Sequence, residues 1–409
     1  MSLRCAVVVM ACAMLFLLCS AGSSSAQVGG AGSVSRGGGA SASSGDVTGG
    51  AVQATVKRAI ARLPITRPAN TTARRRPARP KTAPGGRPPA MDADDYNDQG
   101  DAFLTAGKYP EAVNAYKQAV RLKPDLAEAH YSLGWIYNDQ GNYAQAVESL
   151  KAALRSKLDY AEAWKELGYA KRSMGQTNEA MNAYREAIRH NPEYAQAYYE
   201  LGWTLNEAKQ YEQALVPLNQ AVLKKSDYAE ALNELGYAYS KLERYKEAVE
   251  SYTEAVTLKK DYATAYFGLG DVYFYNTKQY PQAIAAYKKA LALKSDNTTA
   301  LYNVGWSYND LQQYDQAVAA LREAVRLKPD YAEAHNELGY SYLSLGRYND
   351  AVAAFQRAVS LKSDYASAHY NLGIAYLSSG NKAGAVSEYR LLKTIDQKRA
   401  ENLLAEINK

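Results

Sequence analysis

The stretch Asp330–Ser363, DYAEAHNELGYSYLSLGRYNDAVAAFQRAVSLKS, is the unit from which most of this 409-residue chain is copied. With Ala332 as position 1, its signature is Leu338 at 7, Gly339 at 8, Tyr342 at 11, Ala351 at 20, Phe355 at 24 and Ala358 at 27. A shift of 34 residues recovers the pattern along the chain, and a fixed period of this length marks a repeat architecture. Position 8 falls on Gly100, Gly134, Gly168, Gly202, Gly236, Gly270, Gly305, Gly339 and Gly373. Every step is 34 except Gly270 to Gly305, where one residue is inserted. There are nine units.

Positions 4, 7, 8 and 11 share one face of a helix, and positions 20, 24 and 27 share one face of a second. Turn residues such as Gly107-Lys108, Gly141-Asn142 and Gly346-Arg347 separate them. Pro110 and Pro281 stand where the second helix begins, where a missing N–H costs nothing. Asp125/Glu128, Asp159/Glu162, Asp227/Glu230 and Asp330/Glu333 are spaced as capping-box pairs at the start of the first helix. The second helix ends near Lys123, Lys328 or Lys362, favourable at the negative end of the dipole. Two helices cannot bury both faces alone, so neighbouring units must stack. The fold expected is an all-α solenoid.

A 34-residue helix–turn–helix with this Leu-Gly-x2-Tyr, Ala, aromatic, Ala pattern resembles the tetratricopeptide repeat, over residues 93 to 398. Pro at position 32 occurs only at Pro124, Pro192 and Pro329, and Leu392 replaces the small residue at 27 in the last unit. The resemblance implies a right-handed superhelix of about nine repeats over 92–398, with the first helices lining a concave surface. It also implies a non-catalytic scaffold that holds a peptide or protein. Some members grip a C-terminal carboxylate with Lys at position 5 and Asn at position 9. Here those pairs read Asn97/Asp101, Tyr131/Trp135, Lys165/Tyr169 and Tyr199/Trp203, so that clamp is absent. Residues 399–409, with Ala400, Leu403, Leu404 and Ile407 in one stripe, form a capping helix.

Residues 1–26 read as a secretory signal peptide: Arg4, an apolar run from Ala6 to Cys19, then small residues with a cleavage site between Ala26 and Gln27. A site after Ala21 and a retained anchor are the alternatives; the apolar run is short for a bilayer. Export places the protein in a periplasm or outside the cell. All three cysteines, Cys5, Cys12 and Cys19, lie in the leader, which removes cysteine-based metal or redox chemistry from the mature chain. Residues 27–91 form a Gly/Ser-rich and then Pro/Arg-rich tail, too poor in apolar residues to fold. Within it Ala51–Leu63 has helical spacing of Val52, Val56, Ile60 and Leu63 among basic residues. Before Asp92 twelve basic residues face Asp46 alone, a net +11; with +6 for the whole chain, residues 92–409 carry −5. A basic tail is joined to an acidic solenoid, an asymmetry that the overall charge conceals.

Positions 5, 6, 9, 12 and 13 of the first helix face away from its core stripe and are expected to line the groove. Position 5 supplies Tyr131, Tyr199 and Tyr302, and position 6 supplies Glu166, Glu200, Glu234 and Glu337. Position 9 supplies Trp135, Tyr169, Trp203, Tyr237, Trp306 and Tyr340, an alternation that suggests a two-unit duplication. Positions 12 and 13 after each tryptophan are Asn138-Asp139, Asn206-Glu207 and Asn309-Asp310. Rings beside carboxylates suit a basic peptide through cation–π and ion-pair contacts. Rings beside Asn and Asp also suit a glycan. The competing reading is that the tyrosines pack between units and the carboxylates are solvated.

No catalytic constellation, phosphate loop or HExxH pattern is present, and no cofactor or metal is implied. His130, His335 and His369 occupy position 4, a packing slot. Asn70 and Asn297 match the N-glycosylation pattern. Three functions remain: a scaffold for a basic protein or peptide, a surface protein that self-associates by laying its tail in a neighbour's groove, and a glycan-binding arm. Export argues against nucleic acid and leaves an anionic surface as a further partner for the tail.

Overall fold

The computed structural model describes residues 91–409. The expected leader with its Ala26–Gln27 cleavage site, the expected tail with Ala51–Leu63, and Asn70 lie outside the described residues. Within them the helices pair as the period requires. Unit one is α1 (Ala93–Thr105) and α2 (Tyr109–Leu122), unit two α3 (Ala127–Asp139) and α4 (Tyr143–Ser156), and unit three α5 (Ala161–Ser173) and α6 (Thr177–His190). Unit four is α7 (Ala195–Glu207) and α8 (Tyr211–Lys224), unit five α9 (Ala229–Lys241) and α10 (Tyr245–Leu258), and unit six α11 (Ala263–Asp271) and α12 (Tyr280–Leu293). Unit seven is α13 (Thr298–Asp310) and α14 (Tyr314–Leu327), unit eight α15 (Ala332–Ser344) and α16 (Tyr348–Leu361), and unit nine α17 (Ala366–Ser378) and α18 (Lys382–Ile395). Helix α19 (Gln397–Ile407) follows, and no strand occurs among the described residues. The chain is an all-α solenoid.

The glycine at position 8 is the point of closest approach within each unit. A Cβ on Gly134, Gly202 or Gly305 would fall 2.4–2.5 Å from Cγ of Leu150, Leu218 or Leu321 in the second helix. On Gly100, Gly168 or Gly339 it would strike the ring of Tyr116, Tyr184 or Phe355. In unit nine the partner of Gly373 is Leu403 of α19, which therefore seals the last unit; Ala400 and Ile407 are buried beside it.

Each first helix ends in a left-handed residue that lets the next N–H reach back over the last turn, as Lys108 to Phe103 (2.9 Å) and Arg347 to Tyr342 (2.9 Å). Five units use glycine there, and four use Lys209, Glu243, Lys278 and Gln312 at φ of 53° to 61°. The residue inserted in unit six is taken up just before Lys278, where α11 passes into a π-helical turn, Val272–Asn276.

The expected capping boxes do not form at four of the first helices. There the N-cap is Leu126, Tyr160, Tyr228 or Tyr331, one residue after the aspartate, with no side-chain cap. Packing decides the entry: Tyr160, Tyr228 and Tyr331 lay their rings on Tyr131, Tyr199 and Tyr302, which fixes the chain one residue later than capping alone would. A capping box does form at Asp92 and Asp95, where no earlier unit competes. Position 4 also caps. The ring nitrogens of His130, Trp164, His335 and His369 meet the carbonyls of Pro124, Leu158, Pro329 and Ser363 at 2.8–3.1 Å.

Candidate ligand groove

Successive units join mainly through the second helix of one and the first helix of the next. At most junctions the first helices also touch, whereas the second helices of neighbours stand further apart. The stack therefore curves toward the first helices, and its inner wall is made of α1, α3, α5 and their successors.

Position 6 and position 12 face the seam between units rather than the open wall. Asn138, Asn206 and Asn309 are buried, and each donates from its amide to both the backbone carbonyl and the carboxylate of Glu166, Glu234 or Glu337 in the next unit, at 3.0–3.1 Å. The expectation that these residues line the groove is corrected. Position 12 precedes position 6 of the next unit by 28 residues, so the two point at each other across the junction. Burial pushes the Glu234 carboxyl up to about 7, against the opposing bonds from Asn206 and Asn233.

Position 5 is also in the seam. Tyr131 and Tyr199 are buried, and Tyr302 is half-buried, each under the tyrosine that precedes the next first helix at 4.9–5.1 Å between ring centres. In unit three the same position carries Lys165, buried with its Nζ 2.5 Å from Glu166. Burial pulls the ammonium's value down, and the adjacent Glu166 carboxylate more than offsets this and holds it above the usual lysine range.

Position 9 divides. Trp203 is 4% exposed. The guanidinium carbon of Arg172 lies 3.7 Å from its ring centre, and Arg172 Nη1 donates to the buried Glu200 at 2.6 Å. Trp135 and Trp306 are half-buried, the latter edge-on to Phe274 and Tyr280 at 5.2 Å. Tyr169, Tyr237 and Tyr340 are half-buried, edge-on to Tyr143, Tyr211 and Tyr314 at 5.9–6.2 Å. At position 13 Asp139 and Asp310 are exposed and Glu207 is half-exposed. The accessible remainder is a stripe of positions 2, 9 and 13, including Glu128, Trp135 and Asp139 in unit two.

The tryptophans have a packing cause. Position 9 meets position 24: the Tyr116 and Tyr287 hydroxyls donate to Asp101 and Asp271 at 2.6 Å. Where position 24 is Leu150, Leu218 or Leu321, position 9 is Trp135, Trp203 or Trp306. A small residue on the second helix leaves volume that an indole fills. Burial pushes the Asp271 carboxyl up to about 6 despite the Tyr287 bond.

A second row, outside the expected groove positions, is formed by the tyrosines at position 34: Tyr160, Tyr194, Tyr228, Tyr262, Tyr331 and Tyr365. The ammonium groups of Lys157, Lys225, Lys259, Lys328 and Lys362 sit 4.5–5.1 Å over five of these rings. Unit three has Asn191 in place of that lysine, and Tyr194 faces Lys165; burial pushes its hydroxyl up to about 12 against the pull of Lys165. Unit six has Asn297 where the row requires a tyrosine. Tyr275 of the π-turn, 49% exposed, instead hydrogen-bonds Asn303 at 3.2–3.3 Å. The period of 34 in these tyrosines was visible in the sequence.

Among the described residues no cluster of side chains could hold a metal ion, and no helix is long and apolar enough to cross a membrane.

These features define a class, the helical-repeat solenoids whose inner wall is built from first helices. Models of the tetratricopeptide repeat match residues 97–157, 139–171, 233–298 and 366–399, and a TPR repeat model matches 168–205, 305–346 and 339–380. Together they span more than half of the chain, which belongs to the tetratricopeptide repeat family. No curated protein matches it. Among solved structures it is similar to YrrB, described as a TPR protein with an unusual peptide-binding site (23% identity, 46% of this chain, 96% of that one, TM-score 0.44). It is also similar to MamA (30% identity, 42% and 93%, TM-score 0.39) and to PilF of Pseudomonas aeruginosa (22% identity, 51% and 94%, TM-score 0.46).

Proposed function

We propose that this chain is an exported, non-catalytic scaffold whose inner wall holds a protein or peptide partner carrying basic side chains. One observation carries the reading. In units two and seven a half-buried indole is followed one helical turn later by an exposed carboxylate, Trp135 with Asp139 and Trp306 with Asp310. A partner cation can rest on the ring and reach the carboxylate, a contact of about 0.5–2 kcal/mol per ring depending on desolvation. The net −5 of residues 92–409 attracts such a partner over distances up to the Debye length.

The test is a fluorescence titration of the full chain with a Lys/Arg-rich peptide and a Glu-rich peptide of equal length. The basic peptide is expected to bind at least tenfold more tightly, to weaken with salt, and to lose affinity in the Asp139→Asn/Asp310→Asn double variant. Equal affinity for both peptides overturns the reading. Export is tested separately by N-terminal sequencing of the secreted fraction, which should begin at Gln27.

The charge split between tail and solenoid favours a second reading, in which the tail of one copy lies on the inner wall of another. Light scattering of the chain with and without residues 51–90 decides it: a salt-sensitive oligomer becomes a monomer on deletion, and two monomers reject it. The glycan reading loses the carboxamides on which it depended, since Asn138, Asn206 and Asn309 are buried.

A further inference from the structure

The seam between units three and four differs from the other seams. In units two, four and seven position 12 is asparagine, short enough to bond the next glutamate directly. In unit three it is Arg172, and its guanidinium fills a compartment walled by the Trp203 ring, the Glu200 carboxylate and, at 5.6 Å, the Tyr169 ring. The side chain is only 9% exposed, and burial opposes its charge; the Glu200 carboxylate helps to overcome that and hold the guanidinium protonated. Arg172 engages Glu200 through Nη1 alone, whereas a carboxylate can accept two parallel bonds from one guanidinium. The chain's own side chain thus leaves the strongest available geometry unmade.

We propose that the compartment of unit four is an arginine-binding subsite, that Arg172 is its tethered occupant, and that an arginine of the partner takes its place by making the two-pronged bond to Glu200. This rests on the reading of the inner wall as a surface for basic partners and specifies arginine over lysine. A planar guanidinium stacks on an indole and pairs in a fork; an ammonium does neither.

The test uses the full chain with N-acetyl-arginine amide and N-acetyl-lysine amide as probes, followed by Trp fluorescence and calorimetry. Arg172→Ala empties the compartment and should bind the arginine probe at least tenfold more tightly than wild type, with no comparable gain for the lysine probe. Arg172→Asn reproduces the asparagine–glutamate pair of the neighbouring seams, so it should fold as they do and bind neither probe. Equal gains for both probes, or no gain in Arg172→Ala while its melting remains cooperative, overturn the proposal. If Arg172→Ala does not fold, Arg172→Ser is measured in its place, with the same gain expected for the arginine probe and the absence of that gain overturning the proposal. Peptide binding at Trp135 and Trp306 is measured independently, so either result leaves the wider reading to its own experiment.

Discussion

Asn206 donates both to the carbonyl and to the carboxylate of Glu234, 28 residues further on, so one side chain ties the end of α7 to the middle of α9. The same bond joins Asn138 to Glu166 and Asn309 to Glu337. Replacing Asn206 with alanine leaves a buried carboxylate without this donor. The cost expected is about 2–3 kcal/mol, that of a buried charged group deprived of a hydrogen bond, read as a lower urea midpoint. Asp139→Ala, on the exposed wall one residue past the equivalent asparagine, should change the stability by less than about 0.5 kcal/mol. If both variants cost the same, the seam bond is not what holds these units together.

The buried acids give the protein a pH dependence of definite sign. Glu234 and Asp271 have folded values raised to about 7 and about 6 by burial. His369 is raised by Glu388, which lies 2.6 Å from its Nδ1 while Nε2 meets the Ser363 carbonyl. All three bind their proton more tightly folded than unfolded. Their contribution is present in full below the unfolded values and is lost as pH rises through the folded ones. His335, lowered by burial, pulls the other way within the same window and offsets part of the fall, whereas Glu247, Glu323 and Asp396, also lowered, are solvent-screened and titrate below it. Stability should therefore fall between pH 5 and pH 8. Glu234→Gln should flatten the fall and raise the unfolding free energy at pH 8 by ~2–3 kcal/mol, since one pKa unit corresponds to ~1.4 kcal/mol. A midpoint that rises with pH over this window contradicts the assignment.

The architecture was legible because a period of 34 with glycine at position 8 allows one packing: Gly134 against Leu150 recurs as Gly202 against Leu218 and Gly305 against Leu321. The wall was less legible. A helix face that is not the intra-unit core can still be buried by the next unit, and the sequence of one unit does not show how far that neighbour wraps. Glu166 and Asn138 look solvated on a helical wheel, and only the stacking of α3 on α5 brings them together. The tryptophans misled for a related reason. Trp203 pairs with Leu218 in volume, a compensation between residues in two helices that is visible only once position 9 is known to meet position 24.

Glu243 and Gln312 hold φ values of 59° and 58° at the turn where Gly107 and Gly346 hold 72°. A side chain in this region costs about 1–2 kcal/mol relative to the right-handed form, and glycine avoids most of that at a loss of about 0.5–1 in chain entropy. Glu243→Gly and Gln312→Gly should each stabilise the protein by about 0.5–1 kcal/mol, and Gly107→Ala should destabilise it although nothing lies within 4 Å of the new methyl group. Thermal melts of the three variants test the pair of signs. Two glycine variants that melt earlier than wild type would show that side-chain contacts outweigh the backbone at this turn.

Gly202 and Leu218 give the sharpest test of how each unit closes. A methyl group on Gly202 would fall 2.4 Å from Leu218 Cγ, with the Leu218 backbone nitrogen at 3.3 Å, so neither helix can yield without moving the other. Gly202→Ala should cost about 1–3 kcal/mol through overpacking, although alanine is the better helix former. Leu218→Ala alone should cost about 2–5 kcal/mol because Leu218 is fully buried and leaves a cavity. In the double variant the added methyl group enters the space the leucine vacated, so the combined loss should be at least 1 kcal/mol smaller than the sum of the two. Strict additivity in that cycle would mean the helices of unit four separate to accommodate alanine, and that the glycine at position 8 is not what sets their spacing.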